Sequence, residues 1–155
     1  WISLVLSHGH RDHTGGLHHF LAVNDKAQVV CKRELFRPKF KDERENGVMQ
    51  PDALDSTRFR FVDEVTELCR GVFVFPQLPV TDEEDTHFEH FFTWAEGRKQ
   101  ADTFTDELAL VLKQDAEVSV LSACSHRGIT NIIRAVQEYF PQTSLKLGIG
   151  RFPYP

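Results

Sequence analysis

The residues best suited to chemistry lie in Ser7-His8-Gly9-His10-Arg11-Asp12-His13-Thr14-Gly15-Gly16, where three imidazoles and a carboxylate fall within six consecutive positions. In an extended segment residues i and i+2 project to the same side, so His8 and His10 can grip one ion together. Asp12 and His13 come after a turn, point elsewhere and can serve a second ion. Imidazole nitrogen and carboxylate oxygen suit Zn²⁺, Fe²⁺ and Mn²⁺. A solvated His-rich loop is the plain alternative for any histidine pair alone. The HxHxDH pattern, closing an apolar run and opening a glycine-rich entry to the next element, weighs against it.

A third imidazole has a similar setting. Leu121-Ser122-Ala123-Cys124-Ser125-His126-Arg127-Gly128-Ile129 puts His126 after an apolar run and before a helical pattern. Alone it reads as a helix-terminus histidine. Beside HxHxDH it becomes a candidate to complete a three-His site with one coordination position left for water. Such a site lowers the pKa of bound water from 15.7 to ~7, which suits hydrolysis of an ester, amide or phosphoester. Asp12 is the candidate catalytic carboxylate, able to hold the attacking water by a hydrogen bond.

The elements that must position these side chains follow from the pattern of apolar residues. Ile2–Leu6 reads as a fully buried strand, Leu17–Val23 as a short helix and Ala27–Lys32 as the next strand. From Arg33 to Asp55 the chain is polar and broken by Pro38, Gly47 and Pro51. Arg58–Val62, Glu64–Leu68 and Val72–Phe75 read as strands. Gln77–Asp106 reads as a long polar connection. Leu108–Lys113 and Val118–Ala123 form a hairpin around Gln114–Glu117. Ile129, Ile132, Ile133, Val136 and Phe140 have helical spacing, Pro141 ends that helix, and Leu145–Ile149 is a last strand. Two strand-loop-helix units on a strand-rich base predict an α/β layered domain, with ligands at the loops that carry His8 and His126.

The wording of these segments resembles a known family. HxHxDH resembles the signature of the metallo-β-lactamase superfamily. Leu-Ser-His-Gly-His-Arg-Asp-His-Thr-Gly-Gly-Leu, Asp106-Glu107-Leu108-Ala109-Leu110 and Ala-Cys-Ser-His-Arg-Gly-Ile-Thr-Asn-Ile-Ile together resemble its dihydropterin-ribofuranosylaminobenzene-phosphate-synthase-like branch. The resemblance implies an αββα sandwich with a metal site at one edge of its two sheets. It implies that His8, His10 and His126 hold one metal and that Asp12 and His13 hold another. It also implies Zn²⁺ as the cofactor, with Fe²⁺ or Mn²⁺ as alternatives. The branch ordinarily ends in Gly-Gly-Phe-His-Leu, whose histidine serves the second metal. Ile149-Gly150-Arg151-Phe152-Pro153 stands there instead. No initiator methionine precedes Trp1, and the family's strands before the first motif are missing. The chain therefore reads as one domain, residues 1–155, shortened at both ends.

Composition narrows the function classes. Length (155 residues), 41% hydrophobic and 26% charged residues are those of a globular domain with a core. A net charge of −5 disfavours a general nucleic-acid surface. No apolar run reaches the ~20 residues that span a bilayer. Three scattered cysteines give no disulfide scaffold, which points to a reducing, cytoplasmic setting. The reading is a metal-dependent hydrolase or transferase acting on a small anionic substrate, with Lys32, Lys39 and Asn131 as candidate substrate contacts. Asp106 is a candidate for orienting a ligand histidine or a plain turn residue. The rival readings are an RNase Z-like RNA-processing hydrolase and a non-catalytic metal-binding domain. Exposed sheet edges left by shortening would favour a homo-oligomer.

Overall fold

The computed structural model describes residues 2–48 and 56–150; the expected breaker Pro51 and the carboxy-terminal departure at 151–153 lie outside them. It resolves into two compact units. The first comprises Trp1–Val62 with Phe88–Asp106, the second Asp63–His87 with Glu107–Pro155. Among the described residues no helix is long and apolar enough to cross a membrane.

In the first unit β1 (Ser3–Val5) leads through the histidine loop to α1 (Arg11–Thr14) and α2 (Leu17–Val23), and the chain returns as β2 (Gln28–Cys31). β2 pairs in parallel with β1 and, on its other side, with β5 (Phe59–Phe61). The helical crossover is what a parallel pair requires. Val29 and Cys31 face a core of Leu6, Leu17 and Leu35, with Leu21, Phe36, Phe59 and Phe61 packed around it. β1 is not the fully buried strand that its sequence predicts. It stands at one end of the three-strand order, its residues are half-buried or exposed, and Ile2 is 52% exposed.

A 3₁₀ helix (Arg33–Phe36), β3 (Lys39–Lys41) and β4 (Arg44–Glu45) occupy the stretch expected to be irregular. β8 (Phe91–Ala95) and β9 (Arg98–Ala101) occupy the stretch expected to be a long connection. These strands form an antiparallel sheet in the order β4-β3-β8-β9. Glu96 and Gly97 both have positive φ (54° and 74°), the geometry of a two-residue hairpin turn.

The second unit is a five-stranded sheet in the order β12-β11-β10-β7-β6. Its strands are β6 (Thr66–Cys69), β7 (Val72–Phe75), β10 (Ala109–Gln114), β11 (Glu117–Ser122) and β12 (Ser144–Gly150), with α3 (Ile129–Tyr139) between the last two. The predicted hairpin forms with Gln114 opposite Glu117. Ile132 and Val136, one turn apart on α3, pack with Phe75, Ala109, Val111, Val118 and Val120.

Candidate metal centre

The histidine loop leaves the end of β1 in extended form, and His10 (φ −73°, ψ 145°) is the residue that caps α1. The i, i+2 geometry places His8 and His10 side by side, and both imidazoles are buried (0% and 3% exposed). Their rings lie 4.8 Å apart between centroids, and His8 and His13 lie 4.3 Å apart. Donor atoms of His8 and His10 fall within 4.8 Å of each other, as do those of His8 and His13. Phe104 packs edge-on against both His8 and His10, and Phe91 lies against His10.

The loop is held from several sides. His8 Nδ1 and Ser7 Oγ are 3.0 Å apart, which fixes the plane of the ring. A Cβ built at Gly9 would lie 2.2 Å from the Leu35 carbonyl oxygen, so only glycine lets the backbone pass there. The Gly9 N–H donates to Asp106 Oδ2 at 2.7 Å. Asp12 is 63% exposed, with its carboxylate 3.6 Å from His13 Nε2. A half-buried imidazole thus stands beside an open carboxylate.

His126 belongs to the other unit and is positioned with equal care there. Its Nδ1 lies 3.1 Å from the His87 carbonyl oxygen, and its own carbonyl accepts the His87 N–H at 2.8 Å. A carbonyl only accepts, so Nδ1 must carry the proton, and the neutral ring then presents the lone pair of Nε2. Glu107 receives two backbone N–H groups, from His126 at 2.9 Å and from Arg127 at 2.8 Å. The following Gly128 has φ +92°, and a Cβ there would meet Asp85 Oδ2 at 2.6 Å. Asp85 Oδ2 accepts the Thr130 N–H at 2.7 Å and so caps α3 from a distance.

The candidate substrate contacts take other tasks. Lys39 is 3% exposed, and its Nζ donates to Asp102 Oδ2 at 2.7 Å and to Asp106 Oδ1 at 2.9 Å. Burial alone would lower the Lys39 pKa, but Asp106 and Asp102 together raise it and hold the ammonium charged. Burial pushes the Asp106 carboxyl up, against the pull of Lys39. Lys39 is thus a buried counter-ion to Asp102 and Asp106. Asn131 is 1% exposed; its Oδ1 accepts from Thr81 and Asp82, and its Nδ2 donates to the Asp82 and Arg127 carbonyls. Its amide is engaged with the loop before α3. Lys32 is half-buried and caps the 3₁₀ helix. Asp106 is no plain turn residue. Glu107 and Asp102 were missed from sequence. Two adjacent carboxylates opening an apolar strand were the available signal, since burial there demands donors.

In the first unit the donors fit a divalent cation: buried imidazoles on one loop and an open carboxylate beside His13. Known proteins are similar to this chain in sequence and in fold. 7,8-dihydropterin-6-methyl-4-(beta-D-ribofuranosyl)-aminobenzene-5'-phosphate synthase of Methanocaldococcus jannaschii is 27% identical over 146 residues, covering 84% of this chain and 49% of that protein. An uncharacterized protein of the same organism is 26% identical over 135 residues, covering 84% of this chain and 50% of its own length. The chain therefore spans about half the length of the curated relatives it matches. The crystal structure of a metal-dependent hydrolase of the β-lactamase superfamily matches with a TM-score of 0.78 and 29% identity, covering 94% of this chain and 55% of that one. It shares the mixed α/β fold, mostly sheet with few helices. The family model described as the metallo-beta-lactamase superfamily matches residues 3–106, well over half of the chain, and the chain belongs to that superfamily.

Proposed function

We propose that the chain carries the centre of a metal-dependent hydrolase or transferase for a small anionic substrate. In this reading His8, His10 and His126 hold one divalent ion, Zn²⁺ by preference, and Asp12 with His13 hold a second. The observation that carries it is that, in one short loop, a donor atom of His8 lies within 4.8 Å of one on His10 and of one on His13, with His8 and His10 buried. The fixed tautomer of His126 supports its place as the third ligand. A bound divalent ion supplies Lewis acidity, which activates water at neutral pH and polarises the bond to be cleaved.

The side chains of the chain do the rest. The buried imidazoles exclude water from the back of the site, and Ser7 and the His87 carbonyl keep two rings aimed. Asp12, open to solvent, accepts a hydrogen bond from the attacking water and orients its lone pair. The branch resemblance and the methanogen relative favour a phosphorylated substrate. Three cysteines outside any disulfide fit a reducing, cytoplasmic setting.

The test is the zinc content of the purified chain, paired with hydrolysis of p-nitrophenyl phosphoesters and thioesters. The expected result is two ions per chain with measurable turnover. His126→Ala should bind zinc at least 10-fold more weakly and reduce turnover by about 10²-fold or more. One ion without turnover would favour a non-catalytic metal-binding domain. Salt-sensitive binding of transfer RNA would favour RNA processing. No ion at neutral pH would end the proposal.

A further inference from the structure

Asp106 and Glu107 are consecutive in the chain, and both are buried (0% and 1% exposed). Two buried carboxylates are costly unless each oxygen finds a donor. Here each does. Asp106 Oδ2 takes the N–H of Gly9, between His8 and His10, and Oδ1 takes Lys39 Nζ. Glu107 Oε1 takes the N–H of His126, and Oε2 takes that of Arg127. Three of these four donors are backbone groups of the loops that carry the candidate ligands.

We infer that Asp106 and Glu107 are the positioning residues of the two histidine loops, Asp106 for His8 and His10 and Glu107 for His126. The inference rests on the metal-centre reading above. A carboxylate bonded to a backbone N–H fixes the rotation of that peptide, and with it the direction of the neighbouring Cα–Cβ bonds. Both loops need such help. Gly9 has no side chain with which to anchor its own backbone. Ser125 (φ 53°) and Gly128 (φ +92°) put the residues around His126 outside helix or strand geometry. Ligand distances must hold within about 0.2 Å for a metal site to work. Lys39, itself held by Asp102, donates its Nζ to Asp106 Oδ1 and so satisfies the oxygen that Gly9 leaves open. Glu107 receives instead two peptide N–H groups in succession, a small anion-binding nest turned inward. The two anchors are one residue apart, so a single stretch of chain sets both loops.

The test uses Glu107→Gln, which keeps the shape but turns one acceptor into a donor, and Asp106→Asn for the other loop. Zinc affinity is read by competition with a chromophoric chelator, and ligand geometry by the visible bands of the Co²⁺-loaded protein. The metal-free melt of each variant is recorded alongside. Each variant should stay folded, lose 10–100-fold in zinc affinity and shift its cobalt bands. Ile132→Val, in the core of the second unit, should lower the melting temperature and leave zinc affinity and bands unchanged. Parent-like affinity and spectrum in both carboxylate variants would overturn the inference. So would failure of both to fold, since the carboxylates would then serve the fold alone. Absence of zinc binding in the parent chain would overturn the metal-centre reading first, and that outcome is seen before any substitution is made.

Discussion

At the scale of single residues, burial decides chemistry more than residue type does. Of the three cysteines, Cys69 is exposed while Cys31 and Cys124 are buried. Burial, with a smaller push from the Asp106 charge and against Arg33, raises the Cys31 thiol from 9.0 to about 12. The neutral thiol is therefore favoured by the fold. Its contribution is complete below pH 9.0, where the unfolded thiol is also neutral, and is lost as pH rises towards about 12. Three pKa units correspond to roughly 4 kcal/mol. Urea melts at pH 8 to 11 should show stability falling more steeply in the parent than in Cys31→Ala, which has no group to ionise there. Equal slopes would show that Cys31 ionises as freely in the fold as in the open chain. At neutral pH a thiol reagent should label Cys69 rapidly and Cys31 only on unfolding.

Elements were legible in the sequence wherever one period dominated. α3 was readable from Ile129, Ile132, Val136 and Phe140, and the β10–β11 hairpin from two apolar runs around Asp115-Ala116. The histidine loop stood out because its residue types and spacing are rare. The β3–β4 and β8–β9 strands escaped notice for physical reasons. Phe91-Phe92-Thr93-Trp94 has no clean alternation, and Lys39-Phe40-Lys41 looks like solvated surface. The turn Glu96-Gly97, closing on Arg98, was the one usable signal. Lys39 shows why charge alone misleads: a lysine in a basic run turned inward because Asp102 and Asp106, more than sixty positions away, gave it partners. Breaking such a buried cluster leaves charge without compensation. Lys39→Met should therefore cost about 3–5 kcal/mol in chemical denaturation. A loss below about 1 kcal/mol, the scale of an exposed ion pair, would mean that the cluster is hydrated.

For the molecule as a whole, family membership fixes the kind of fold, and the histidine loops carry the chemistry proposed above. What neither fixes is how the sheet of the second unit ends. β12 is last in its order, and all seven of its residues are exposed. Leu145, Leu147 and Ile149 are 38%, 48% and 51% exposed. A long apolar edge strand offers unpaired backbone groups to another chain, and natural proteins blunt such edges with lysine. Here one charge, Lys146, does so from within Ser144–Gly150, and it is tied to Glu117 at 2.6 Å. Such an edge predicts self-association of the 155-residue chain through β12. Sedimentation velocity should show the weight-average mass rising with concentration. Ile149→Lys should suppress that rise, and Lys146→Ala should enhance it. If the parent chain stays monomeric over a hundredfold range of concentration, or if both variants behave as it does, the edge is not the site of association.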